Sequence, residues 1–248
     1  MNTGTKTMES SSNIVLSRQT ALKREMTAVA NNIANLNTTG FKAELMMYDQ
    51  AKVATPGGQS LSYVIDRGSV RDMRPGNMQL TGNPFDLAIN GSGYFSIDNG
   101  VETVFTRNGS FMVDKDGRLS TKTGDTVLDA NNNPILVPPG STSLEITEDG
   151  SIGSDGETLA QLQIVSFDSE ARMKSIGNGY LTTDQEAIPE PGARLTQGML
   201  EGSNVQSMTE MTKLIEIHRS YERMSKFVKN EDERQRDLIR RLGRPPQA

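Results

Sequence analysis

Residues 29–42 read VANNIANLNTTGFK. The first half continues an apolar stripe. Val15, Leu22, Met26, Val29, Ile33 and Leu36 stand 7, 4, 3, 4 and 3 residues apart, the 3-4 spacing of one helix face. Interleaved with that stripe, and then replacing it, are Asn31, Asn32, Asn35, Asn37, Thr38 and Thr39. Asparagine is a poor helix former because its amide competes for nearby backbone hydrogen bonds. Gly40 then supplies the residue that most easily turns left-handed past a helix end. The stretch predicts a helix over 13–37, started by Ser12 or Asn13 as cap. The polar residues 1–12 before it are expected to be a disordered extension.

A second helical pattern lies at the other end of the chain. Leu214, Tyr221, Val228 and Leu242 share one heptad row, and Ile217, Met224 and Leu238 the next. Met211 lies in a further row with the chain's single histidine, His218. Ser203 or Asn204 suits the start, and GRPP at 243–246 ends the pattern, leaving 243–248 as a tail. A helix over Val205–Leu242 would be roughly 57 Å long, far beyond an average globular helix.

Between the helices the texture changes. Residues 38–80 carry turn chemistry such as TPGGQS and MRPGN and are expected to be an irregular connection, with Met46–Val53 open between helix and strand. Over 81–198, short β-prone runs alternate with DNG, RNG, KDG and EDG. Asn-Gly and Asp-Gly suit the positive-φ positions of tight hairpins, so this region predicts an antiparallel β domain. The fold class expected is α+β: long N- and C-terminal helices (13–37 and 199–242) paired as a coiled coil, with an inserted antiparallel β-rich outer domain.

Composition excludes several classes of function. The 248 residues carry a net charge of -5, so no overall basic signal points to nucleic acid. The acidity is concentrated in residues 53–200, with ten basic and 19 acidic side chains; both ends are mildly basic. With no cysteine and one histidine, neither a disulfide framework nor a zinc site is expected. DKDGRLSTKTGD (114–125) lacks the spacing of a calcium loop and reads as a hairpin turn. Gly91 and Gly93 lack the third glycine of a nucleotide fingerprint. No nucleophile motif comes with a matching base, so no catalytic residue, cofactor or metal is expected. No apolar run approaches the roughly 20 residues of a membrane span, and MNTGTKTMESSSN lacks the apolar stretch of a secretory signal.

Four segments carry a resemblance. VANNIANLNTTGFK (29–42), GNPFDLAINGSGYFSI (82–97), FTRNGSFMVDKDGRL (105–119) and GMLEGSNVQSMTEMTKLIEIHRSYE (198–222) resemble, in this order, segments of the bacterial flagellar basal-body rod protein family. The N-terminal stretch is most similar to the proximal rod type; the distal rod type is the alternative within the family. Outside it, the alternative is a β-domain binding module on a coiled-coil stalk. The resemblance implies a non-enzymatic structural subunit. Such a chain leaves the cell unfolded through the flagellar export apparatus without a cleaved signal. It packs by its terminal helices against copies of itself and other rod subunits, and transmits torque where the rod crosses the periplasm.

Two readings of the amides stay open. They cap and tolerate a fraying helix end, or they bond neighbouring helices in the assembled tube, where one amide supplies both donor and acceptor. The residues expected to pack or assemble are Val15, Leu22, Met26, Val29, Asn31, Asn32, Ile33, Asn35, Leu36, Gly40 and Phe41, with Met211, Leu214, Ile217, Tyr221, Met224 and Val228.

Overall fold

The computed structural model describes residues 3–54, 60–138, 144–154 and 156–242. Met1 and Asn2 of the expected extension, residues 55–59 of the expected linker, and the tail 243–248 lie outside the described residues. The chain separates into two units. One comprises Met1–Ile33, Leu45–Ser69 and Ser207–Ala248, and the other Ala34–Glu44 and Val70–Gln206.

The first unit is built on α1 (Thr3–Ala34), α2 (Ser207–Leu242) and a two-stranded sheet of β1 (Glu44–Ala54) and β2 (Ser60–Arg71). Residues 3–12 belong to α1 although disorder was expected there: no glycine or proline falls between Thr5 and Thr39 to break the helix. The segment expected to be irregular holds β1 and β2, because the alternating and β-branched residues of LMMYDQAKV and SYVIDRGSV outweigh the turn residues between them.

The coiled coil is overturned. Among the described residues, apolar contact between the helices forms one short cluster: buried Leu22, Val29 and Ile217, with Met26, Ile33, Leu214, Tyr221 and Met224 packed on it. Beyond it, the heptad positions Met211 and Val228 are 50% and 43% exposed. Part of the cover for α1 comes instead from β1, whose Tyr48 hydroxyl donates to the Ala21 carbonyl at 3.0 Å. The last turns of α2 are charged and carry the intrahelical pairs Arg234–Glu231 and Arg236–Asp232 at 2.7 and 2.9 Å. Such pairs, three or four residues apart, add modest support along an exposed helix face.

The second unit, the body, is β-rich. Its strands are β3 (Met78–Leu80), β4 (Leu87–Asn90), β5 (Tyr94–Asp98), β6 (Thr103–Thr106), β7 (Phe111–Val113), β8 (Leu119–Thr121), β9 (Thr126–Val127) and β10 (Leu144–Ile146). There follow β11 (Ser151–Ser154), β12 (Glu157–Gln161), β13 (Ile164–Ser166), β14 (Lys174–Gly177), β15 (Tyr180–Thr182), β16 (Ile188–Pro189), β17 (Arg194–Gln197) and β18 (Met199–Glu201). A nine-stranded sheet runs β14-β15-β6-β5-β9-β8-β7, with β13 joining β5 to β16. β10, β11 and β12 form a three-stranded sheet; β4 pairs with β17, and β3 with β18.

Alternation explains how the large sheet is buried on both faces. On β5, Phe95 and Ile97 point into the main core, while Tyr94 joins a second cluster; on β6, Val104 and Phe105 divide in the same way. Phe95 meets Phe111 edge to face at 5.1 Å, and Phe105 meets Phe167 at 4.7 Å. In the KDG turn, Gly117 has φ +79°, and the Asp114 carboxylate accepts from the Asp116 and Arg118 backbone N–H groups and the Arg118 guanidinium. RNG differs from the expected turn. A Cβ on Gly109 would lie 1.8 Å from the Leu87 carbonyl oxygen, so this glycine is required by close backbone packing.

Phe95 is fully buried and Val101 is 91% exposed. Phe95→Ala should lower the body's stability by about 3–5 kcal/mol. Val101→Ala should stay within about 0.5 kcal/mol of the parent. Urea unfolding followed by tyrosine fluorescence measures both.

Candidate functional site

The segment that leaves α1 does so through local hydrogen bonds. Thr38 donates from its backbone to the Asn35 carbonyl at 3.2 Å and from its hydroxyl to the Asn35 side-chain oxygen at 3.0 Å. Phe41 N–H then donates to the Thr38 carbonyl at 3.2 Å. Gly40 has φ +70°, and a Cβ there would lie 2.5 Å from the Arg107 carbonyl carbon. Both the backbone sign and the close approach require glycine. Its N–H donates to the Glu201 carbonyl at 2.7 Å.

This turn delivers Lys42 into the interior of the body, where its ammonium meets Glu201 Oε1 at 2.6 Å. Glu201 Oε2 accepts from Arg107 Nε at 2.9 Å and lies 2.8 Å from Nη2. All three side chains are at most 3% exposed. Backbone groups surround the three charges as further partners. Arg107 donates to the carbonyls of Ile89, Gly91 and Gly93, Lys42 to that of Arg74, and Gly76 N–H to Glu201 Oε1. Asn204 completes the arrangement, accepting from Ala43 N–H at 2.8 Å and donating to the Asp72 and Arg74 carbonyls at 2.7 and 2.9 Å. Residues 40–43, 72–76, 107 and 201–204 are thereby bound together.

Burial pushes the Lys42 ammonium below its ordinary value, with Arg107 adding to the effect and Glu201 opposing it. For Glu201, burial acts upward, but the Arg107 charge, the Lys42 bond and the Gly76 N–H outweigh it and hold the carboxyl below its ordinary value. Glu201 therefore contributes stability above its unfolded value, and that contribution is lost as pH falls through the depressed folded one. Lys42 has the opposite sign: its burial is a cost below the folded lysine value, relieved in alkaline solution.

A second polar contact lies in the helical unit. Asn32, fully buried, donates to Glu210 Oε2 at 3.1 Å, and Lys213 donates to Glu210 Oε1 at 2.6 Å. It adjoins the cluster that gathers Leu22, Met26, Val29, Ile33, Leu214, Ile217, Tyr221 and Met224. Of the other residues expected to pack, Val15, Asn35, Leu36 and Phe41 are half-buried, and Asn31, Met211 and Val228 are exposed. Leu36 lines a cavity of about 270 Å³ together with Asn37, Thr39, Gln79 and Ser203. Sequence reasoning missed Lys42, Arg107, Glu201, Asn204 and Glu210. The one visible signal of the first four is a charge or amide within two residues of a glycine in GFK, TRNG and EGSN; Glu210 has none.

Three family descriptions match the chain. "Flagella basal body rod protein" matches residues 13–42, "Flagellar hook protein FlgE/F/G D1 domain" 88–154, and "Flagellar basal body rod FlgEFG protein C-terminal" 196–241. The chain is 38% identical to the flagellar basal-body rod protein FlgF of Caulobacter vibrioides over 96% of its own length and 99% of that protein's. The chain belongs to the flagellar basal-body rod protein family. Identity to FlgF of Mesorhizobium japonicum is 31% over 95% of this chain and 99% of that one. Identity to FlgG of Bacillus subtilis is 31% over 87% and 92%. The protein is a structural subunit of the rod in the flagellar basal body. Each matched segment contributes one member of the buried triad: Lys42, Arg107 and Glu201.

Glu201→Ala strands two buried cations and should cost about 3–5 kcal/mol in urea unfolding at neutral pH. Glu201→Gln keeps an acceptor without the charge. Its deficit relative to the parent should be largest at neutral pH and shrink below about pH 4, as the parent carboxylate is protonated. A gap that stays constant across that range would show that charge is not what the cations require.

Proposed function

We infer that this chain is a proximal rod subunit that joins its neighbours through its terminal helices. The observation that carries this is on α2. Met208, Met211, Ile215, Phe227 and Val228 are between 43% and 77% exposed, five large apolar side chains on one helix. Scattered single apolar residues are ordinary on a surface, but this number on a single helix suits burial by partners. The occupants are copies of this chain and other rod subunits.

Asn31 and Asn35, one turn apart, supply amide donors and acceptors to the same contacts. Leu36, Gly40 and Phe41 set the turn that follows. In this role the chain transmits motor torque towards the hook, and it reaches its place unfolded, through the flagellar export apparatus, without a cleaved signal. No catalysis, cofactor, nucleic acid or membrane insertion enters the reading; no described helix is long and apolar enough to cross a membrane. The proximal position follows the FlgF relatives, which match over 93–96% of the chain.

The test is complementation of a strain lacking this chain. Asn31→Ala with Asn35→Ala should abolish swimming and hook formation, while urea unfolding of the full-length chain loses no more than about 1 kcal/mol, the cost of the Asn35 bond to Thr38. Normal swimming by the double variant would remove the amides from the interface.

A further inference from the structure

We propose that the buried Asn32–Glu210 contact is a register lock: it selects one axial setting of α2 against α1, and with it the face that α2 presents to neighbouring subunits. The consequence for the rod rests on the assembly reading above; the lock itself does not.

The argument begins with the apolar cluster. Leu22, Met26, Val29 and Ile33 are spaced 4, 3 and 4 residues apart, and Leu214, Ile217, Tyr221 and Met224 are spaced 3, 4 and 3. Both rows repeat once per turn and are apolar throughout, Tyr221 being the one aromatic among aliphatic and methionine side chains. Sliding one helix by a turn, roughly 5.4 Å, still sets apolar residue against apolar residue. The cluster therefore holds the helices together while discriminating weakly between settings.

The polar pair does not repeat. Asn32 is 0% and Glu210 5% exposed, and their bond joins the last turn of α1 to the first turn of α2. Since Ile217 and Leu22 fall in the same cluster, the helices run antiparallel from this point. After a one-turn slip, the position of Glu210 beside Asn32 would pass to the Leu214 or Gln206 level. A buried amide facing leucine loses its acceptor, which disfavours the slipped setting roughly ten- to a hundredfold. Lys213, on the same helix as Glu210, neutralises the carboxylate at 2.6 Å and holds it in place, so the acceptor is preset before α1 docks. A single polar pair in an apolar seam is the best-attested way for helices to fix register.

The chain has no cysteine, so Lys23→Cys and Lys229→Cys, both exposed, give two spin-label sites and no others. They are staggered by roughly 15 Å along the helix axes, so a one-turn slip changes their separation by several ångströms. Pulsed electron paramagnetic resonance on the full-length chain should give one narrow distance for the parent and for Glu210→Gln, which keeps an acceptor. Asn32→Leu with Glu210→Met should melt no lower than the parent yet show a broadened or second distance. Asn32→Asp, which sets two carboxylates together, should broaden it too. A broad parent distribution, or a narrow and unmoved one in the Leu/Met variant, overturns the lock. Normal swimming by cells that lack the chain would instead sink the rod reading and leave these distances untouched.

Discussion

A buried carboxylate holds the body of this protein together. Glu201 lies between Lys42 and Arg107, which are 159 and 94 residues away in the chain. Removing three charges from water costs several kcal/mol per ion, and Coulomb attraction offsets that only where geometry is good and every remaining donor is satisfied. The geometry is close, and much of the donor capacity is met. Arg107 gives its other N–H groups to three backbone carbonyls, and Glu201 takes a further N–H from Gly76. The group carries a net positive charge, which is why the backbone carbonyls around it matter: their oxygens supply the negative potential that one carboxylate cannot.

The triad's value lies more in specificity than in net stability. An apolar trio of the same volume would be at least as stable in many proteins. What it would not do is require three particular segments at once. Lys42 follows α1, Arg107 connects β6 to β7, and Glu201 ends β18 just before the approach to α2. Gly40 closes the arrangement, because any side chain there would strike the Arg107 backbone. Asn204 does for the 72–74 segment what Arg107 does for 89–93, replacing strand pairing by side-chain bonds to carbonyls. A chain threaded wrongly would bury one of these charges without its partner.

How much of this was legible in the sequence divides along physical lines. Period and punctuation were readable: the helical stripes near Leu22 and Ile217, the β texture of 81–198, and the positive-φ glycine of KDG. The family resemblance rested on the same local segments. Burial of charge was not readable, since a lysine after GF and an arginine before NG look like surface residues until the fold closes over them. The coiled coil failed for a related reason. Heptad rows report which residues share a face, not how long a partner follows that face, and the strands of 44–71 were hidden within a segment rich in turn residues. The asparagines stood out in the sequence, but local spacing could not tell Asn32, buried against Glu210, from its exposed neighbour Asn31.

That difference between adjacent amides separates two requirements on α1. A helix that must dock within its own subunit needs a polar contact that is fully buried and used up internally, since only then does a wrong setting leave a partner unsatisfied. A helix that must also meet other subunits needs polar groups still reachable from outside. Consecutive residues on a helix point about 100° apart, so with Asn32 turned into the packed seam Asn31 is turned outward. Asn35, half-buried and bonded to Thr38, adds a third role at the helix end. The run of amides is therefore not one feature repeated, and substituting its members one at a time should separate subunit folding from subunit recognition.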